Sequence, residues 1–206
     1  MRRFVIVGQK APASADFLLD DLPGTSGRLD VLLRCVRAAM LVSHGLRRDS
    51  SVFLVLGGNP RAQRVLRFDG SRIHYLRPDE RSLAVLAKKA LSVECDPAKG
   101  EFVEVRPGVA VARGGLESVL AHIDTETLFV LTEGAPDIRE IDGLTRPEAV
   151  FVLGDHLGLE LETVALLATA GGRPISIGPL SVHAEDAVAI VSNELDRRSN
   201  DRTQRA

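Results

Sequence analysis

The chain predicts an α/β fold with a mostly parallel sheet flanked by helices. Three observations predict it. Short apolar runs rich in β-branched residues alternate with segments whose apolar residues recur at helical spacing, and this alternation is cleanest after Gly114. Three consecutive strand-like runs end in glycine-bearing loops, "LTEG", "LGDHLG" and "SIGPL". No internal repeat or low-complexity linker interrupts the pattern, so one compact domain is expected.

Taken in order, "RFVIV" at 3–7 reads as a strand, followed by a polar loop through "DLPGTSGRLD". Leu29, Leu32, Leu33, Val36 and Met40 then form one helical stripe, with Gly45 as the expected stop. "SVFLVLGG" (51–58) is a strand, "RVLRFDGSRIHYL" (64–76) a hairpin about Asp69-Gly70, and "PDERSLAVLAKKAL" a helix capped by Asp79. A short strand is expected at 108–112, in "GVAVA". Then come a helix in "GGLESVLAHI", strands in "TLFVLTEG" and "AVFVLGDH", and a helix in "ELETVALLATAG". A strand and loop in "RPISIGPL" and a helix in "HAEDAVAIVSNELD" complete the series, and the polar tail after Asp196 is expected to fray.

Composition narrows the function classes. Of 206 residues, 45% are apolar but only 4% aromatic, with no Trp, so the core is aliphatic and a stacked-aromatic RNA platform is disfavoured. Cys35 and Cys95 are far apart and lack CxxC spacing, and the five histidines lack HExxH spacing; buried thiols are expected, and no disulfide and no metal site. The apolar N-terminal run breaks at Gly8, and no stretch approaches the roughly 18 apolar residues of a membrane span. The expectation is therefore a cytoplasmic location without a membrane partner. Charge is divided: Arg28 through Lys89 carries 13 Lys+Arg against 5 Asp+Glu, whereas Gly114 through Leu195 carries 3 against 14. The basic half suits a polyanion such as nucleic acid, and it suits a solvated arginine-rich face equally well.

Ligands of open α/β sheets sit at the carboxyl ends of strands, so the three glycine loops predict a shared pocket whose backbone groups do the binding. That pocket has no GxxxxGK[ST], GxGxxG or GxSxG, which argues against a P-loop, a dinucleotide turn and a serine hydrolase. Asp155 and His156 read either as a hydrogen-bonded turn pair or as part of the site. His183 reads either as a helix start or as a functional group.

"LPGTSGRLDVLLRCV", "LRRD", "PDERS", "GDHLG" and "PISIGPLSVHAEDAVAIVSNELD" together resemble the TrmY family, the tRNA pseudouridine N1-methyltransferases of the SPOUT class, in the same order from Phe4 to about Asp196. The resemblance implies a C-terminal deep trefoil knot, S-adenosylmethionine as cofactor, and a homodimer. It divides 1–198 into a basic RNA-facing half (1–113) and a knotted cofactor half (114–198), with 199–206 as a tail. Carried over by motif, the cofactor residues are Leu131, Gly154, Ser176, Ile177, Gly178, Pro179, Leu180 and Ala187. Ala187 stands where archaeal members typically have Cys, which suggests the bacterial-type branch.

The implied chemistry is methyl transfer to N1 of a pseudouridine in tRNA, by precedent at position 54 of the T-loop, and it needs positioning and a proton acceptor rather than a metal. Candidate acceptors or orienters are Asp155, Asp30 and His183. Arg28 is the candidate for the substrate base or a phosphate, and Arg47, Arg48 and Arg81 for phosphates. On an ideal helix Arg28 and Arg34 face opposite sides and would not act as one clamp. Two other readings stay open: the same fold and cofactor acting on rRNA or another modified uridine, and a non-catalytic RNA-binding dimer. No DNA partner is expected.

Overall fold

The computed structural model describes residues 1–58, 63–93, 100–123, 127–142, 144 and 149–205, with side chains through Asn200. Cys95 and Ala206 lie outside the described residues. Strand β1 (Arg2–Gly8) leads through a one-turn helix α1 (Leu22–Thr25), capped by the Asp21 carboxylate on Gly24 N, into helix α2 (Leu29–Met40). A two-residue ribbon, β2 (Leu41–Val42) with β3 (Gly45–Leu46), precedes β4 (Ser50–Leu56) and β5 (Arg64–Asp69). Helix α3 (Glu80–Leu91), β6 (Val103–Arg106), β7 (Val109–Arg113), α4 (Leu116–Leu120) and β8 (Leu128–Leu131) follow. Then come a 3-10 turn (Ile138–Glu140), β9 (Val150–Gly154), α5 (Leu161–Thr169), β10 (Arg173–Ile175) and α6 (Ala184–Arg205).

The eight long strands form one sheet in the order β10-β8-β9-β1-β4-β5-β7-β6. The first five run parallel and the last three join antiparallel, so the parallel character belongs to the half that carries the glycine loops. Alternation along the strands feeds two cores. Phe4 and Ile6 of β1 pack with α2, α3 and α6 on one face, while Val5 and Val7 pack with Leu116, Val119 and Leu167 of α4 and α5 on the other. The aromatic pairs Phe4–Phe151 and Phe129–Phe151 sit in the first core, with ring centroids 5.7 and 5.5 Å apart. Cys35 lies fully buried within it, and burial pushes its thiol well above the ordinary range, as suits an inert core residue.

Four expectations need correction. The hairpin at 64–76 does not form: β5 pairs with β4 and β7, and Gly70 N bonds back to Ser50 O, so the chain after Asp69 turns off the sheet towards α3. Helix α2 stops at Met40 rather than near Gly45, because Leu41 turns extended and the next residues close the small ribbon. The helix expected across "GGLESVLAHI" is confined to five residues. The polar residues after Asp196 do not fray at once but continue α6 to Arg205. Arg198 explains this: it pairs with Glu194 one turn back and donates to the carbonyls of Ile138, Arg139 and Ile141, satisfying groups a frayed end would leave bare.

The cap expectation at α3 holds, with the Asp79 carboxylate accepting Ser82 N at 2.7 Å. Among the described residues, no helix is long and apolar enough to cross a membrane.

Candidate functional site

A cavity of about 920 Å³ opens at the carboxyl ends of β8, β9 and β10. Its walls come from three sources: the loops after those strands, the N-terminal half of α2, and the first turn of α6. All three glycine-bearing loops contribute, as their strand-end positions require.

The "GDHLG" loop is a closed turn and also a wall. A Cβ on Gly154 would sit 2.1 Å from Gly158 O, so β9 can end against this turn only as glycine. Asp155 then ties the turn to the neighbouring strand. Its amide donates to Val7 O at 3.0 Å, and its buried carboxylate accepts Gln9 N at 3.0 Å and Leu157 N at 2.8 Å. His156 stays half-exposed with Nδ1 3.7 Å from that carboxylate. Both residues line the cavity, and the turn pair and the wall are one structure.

The loop after β10 is stitched to the loop after β8. Ser176 N donates to Pro136 O, Ser176 O accepts Ile138 N, and Thr132 N donates to Ile175 O. Ser176 Oγ donates to Gly178 O at 2.9 Å. Gly178 has φ 150°, and a Cβ there would meet nothing within 4 Å, so the loop presents bare backbone to open space. Leu131, Ser176, Ile177, Leu180 and Ala187 line the same cavity; Pro179 is exposed beside it without lining it.

The opposite wall is ionic. Arg28 Nε lies 3.1 Å from Asp30 Oδ1, and Arg34 reaches Asp30 Oδ2 at 3.0 Å and Glu185 Oε1 at 2.7 Å. Burial pushes the Asp30 carboxyl up, but the two guanidiniums outweigh it and hold it below the usual carboxylate range. Asp30 therefore sits beneath the cavity as their counter-ion rather than on its surface. The Asp30 contact in turn raises Arg28 above the ordinary arginine value. For Arg34, burial works against the charge, yet Glu185, Glu80 and Asp30 more than offset it.

The expectation that Arg28 and Arg34 point apart is corrected: both line the cavity. Arg28 precedes the helix in a left-handed conformation with φ 68°, so helical projection does not apply to it.

His183 is exposed at the cavity mouth, and its carbonyl accepts Ala187 N in the first turn of α6. The three other expected RNA contacts are engaged elsewhere. Arg47 makes a two-point pair with Asp196, Arg48 donates to the carbonyls of Gly70 and Ile73, and Arg81, largely exposed, pairs with Asp20. Sequence reading missed Glu185, Asp186, Glu133 and Thr132 as cavity residues. The signal for the first two was present: both lie off the apolar stripe of the last helix, directly after His183.

This geometry can hold a small molecule against backbone groups while a wall of ion-paired side chains faces it. The volume falls within the range of cofactor pockets, roughly 300–1,000 Å³. The acidic residues Glu133, Glu185 and Asp186 at the same cavity suit a ligand bearing positive charge.

Comparisons with known proteins agree. A family model described as SAM-dependent RNA methyltransferase matches residues 1–200. A protein of Methanosarcina acetivorans named tRNA (pseudouridine(54)-N(1))-methyltransferase is 44% identical, covering 98% of this chain and 94% of its own. One of the same name from Halobacterium salinarum is 41% identical, covering 95% and 96%. Among solved structures, Archaeoglobus fulgidus Nep1 bound to S-adenosylhomocysteine superposes with a TM-score of 0.62 over 95% of this chain and 97% of that one; at 14% identity this speaks for the fold alone.

Proposed function

Since the chain belongs to the TrmY family of tRNA pseudouridine N1-methyltransferases, we propose that it methylates N1 of pseudouridine 54 in tRNA, using S-adenosylmethionine. The observation that carries this reading is the cavity itself, in which the loops of three parallel strands face Arg28 and Arg34. S-adenosylmethionine, when bound, supplies a methyl group on a sulfonium for in-line displacement.

The chain supplies position. Leu131, Gly154 and the 176–180 loop offer backbone donors and acceptors to the cofactor, with Ala187 closing the floor. Arg28 and Arg34 face the RNA, their charge held in place by Asp30. Asp155 serves as the orienter of the β9 loop, since both its oxygens already accept backbone amides. His183 and the acidic first turn of α6 are then the groups able to receive the N1 proton. Of Arg47, Arg48 and Arg81, the largely exposed Arg81 is the best placed to meet a phosphate.

The same reading includes a trefoil knot in the C-terminal half, a single domain spanning 1–198, and a homodimer working in the cytoplasm. In support of the knot, α6 follows the edge strand β10 through the 176–183 loop yet packs on α2, while the loop before the 3-10 turn bridges Ser176. In support of the dimer, α5 leaves Leu161, Val164, Ala165 and Ala168 exposed at i, i+3, i+4 and i+7, one apolar helix face left uncovered by the described residues.

The test is methyl transfer from labelled S-adenosylmethionine to tRNA carrying pseudouridine or uridine at position 54, followed by nucleoside mass spectrometry. N1-methylpseudouridine from the first RNA alone is expected. Absence of the product, or an equal yield from the uridine RNA, overturns the reading.

A further inference from the structure

Tyr75 stands in the loop that carries the chain from β5 to α3. The protein has seven Phe, one Tyr and no Trp. Every Phe is buried or half-buried, whereas Tyr75 is 63% exposed, and among the described residues no other ring or cation packs on its faces. The backbone beneath it is pinned. Ile73 and Leu76 on either side are buried in the core. Arg48 donates to the carbonyls of Gly70 and Ile73, and Arg106 Nη2 to Tyr75 O at 3.4 Å. Holding the ring against a ligand therefore costs little beyond its own two torsions.

Exposure alternates out, in, out across Tyr75, Leu76 and Arg77, and Arg77 precedes Pro78, which disfavours a helical turn there. Tyr75 and Arg77 thus leave the loop on the same side, about 7 Å apart. The carboxylates nearby are already engaged. Asp69 accepts Ser71, Asp79 caps α3, Glu80 meets Arg34, and Glu104 holds Gly108 N and Arg72. Arg77 is exposed and has no hydrogen-bond or ion-pair partner among the described residues.

A protein contact is built around an apolar centre, but the exposed residues flanking this ring, Arg72, His74 and Arg77, are polar or charged. An aromatic face beside an uncommitted guanidinium fits a nucleotide instead, with the base on the ring and the phosphate on the cation. One ring cannot make the platform of a recognition sheet, yet it can hold one base. Glu80, five residues on, lies 3.3 Å from Arg34 of the cavity wall. Chain length alone keeps Tyr75 within about 18 Å of Glu80, so one RNA can reach both places.

We propose, resting on the reading that this chain acts on tRNA, that Tyr75 and Arg77 form a subsite for a nucleotide flanking the methylated one. An unpaired base stacks on the Tyr75 ring and its phosphate meets Arg77. Every base has a face to stack, so the subsite contributes affinity and register rather than base choice.

Because Tyr75 is the one tyrosine, growth on 3-fluorotyrosine places a single fluorine label on its ring. Titration with pseudouridine-containing tRNA, with S-adenosylhomocysteine present, should shift that NMR signal. Tyr75→Ala should bind the tRNA about tenfold more weakly, and Tyr75→Phe within about twofold of the original. Arg77→Gln should lower the salt dependence of binding by about one phosphate contact. In all three variants the affinity for S-adenosylhomocysteine by calorimetry should stay within about twofold, which establishes that the fold and the cavity survive.

A fluorine signal unmoved at saturating tRNA, Tyr75→Ala binding as tightly as the original, or an unchanged salt slope in Arg77→Gln overturns the proposal. So does Tyr75→Phe binding as weakly as Tyr75→Ala, which would assign the effect to the hydroxyl. The parent reading fails separately, if the intact protein transfers no methyl group to pseudouridine-containing tRNA.

Discussion

The Arg28 guanidinium rests on the carboxylate of Asp30, two residues on, with Nε 3.1 Å from Oδ1. It reaches there because Arg28, alone among the described non-glycine residues, has a left-handed backbone, φ 68°. For a residue with a Cβ that conformation costs about 1–2 kcal/mol, so it persists only where the surroundings enforce it. Arg28→Gly relieves the strain while losing the ion pair. Its stability in urea is expected within about 1 kcal/mol of the original, with RNA affinity clearly reduced. A large loss of stability with RNA affinity intact would refute the assignment.

Asp30 sets an acid limit on the fold. Its carboxyl is held below the ordinary value of 3.8, so its contribution to stability is fully present above that value and is lost as pH falls through the lower folded value. Asp30→Asn should therefore be less stable at neutral pH by about 3 kcal/mol, since it leaves two guanidiniums short of a counter-ion. The gap should shrink as pH falls below 3.8, read by chemical denaturation at several pH values. A gap that stays constant down to acid pH would contradict it.

The two loop glycines fail differently. At Gly154 an added Cβ meets Gly158 O at 2.1 Å, so Gly154→Ala must open the turn and is expected to cost about 3 kcal/mol and most of the cofactor affinity. At Gly178 nothing obstructs a Cβ, and only the backbone conformation objects, so Gly178→Ala is expected to cost about 1 kcal/mol. Thermal unfolding and S-adenosylmethionine calorimetry on the pair would show the order; equal effects would contradict it.

The arginines divide between scaffold and surface. Arg47 binds Asp196 at two points, and Asp196 also meets the buried Arg2, fastening α6 to the start of β1. Arg47→Ala is expected to cost about 1–2 kcal/mol of stability. Arg81 and Asp20 are both mostly exposed, so Arg81→Ala should leave stability unchanged while lowering the salt dependence of RNA binding by about one phosphate contact. The reverse pattern would exchange their roles.

The apolar face of α5 offers the last test. Leu161→Glu with Val164→Glu places two charges on it without entering the core, since both side chains are exposed. Sedimentation should show the intact protein as a dimer and the variant as a folded monomer. An intact protein that sediments as a monomer would remove the dimer from the proposal.

Periodicity and glycine placement determined most of the fold from sequence alone. The strands of the second half, its helices α5 and α6, the Asp79 cap and the convergence of three loops follow from local chemistry, which neighbouring residues settle among themselves. The basic excess was legible too, but its use was not. Whether an arginine meets RNA or a carboxylate depends on partners far along the chain, as with Arg47 and Asp196, 149 residues apart.

The same holds for the ionic wall. Helical projection separated Arg28 from Arg34 because it could not know that Arg28 precedes the helix in a left-handed turn. Glu185 looked like any polar residue on the open face of a helix. Only packing of α6 on α2 buries one of its oxygens and pairs the other, because burial is a property of what the rest of the fold places against a residue.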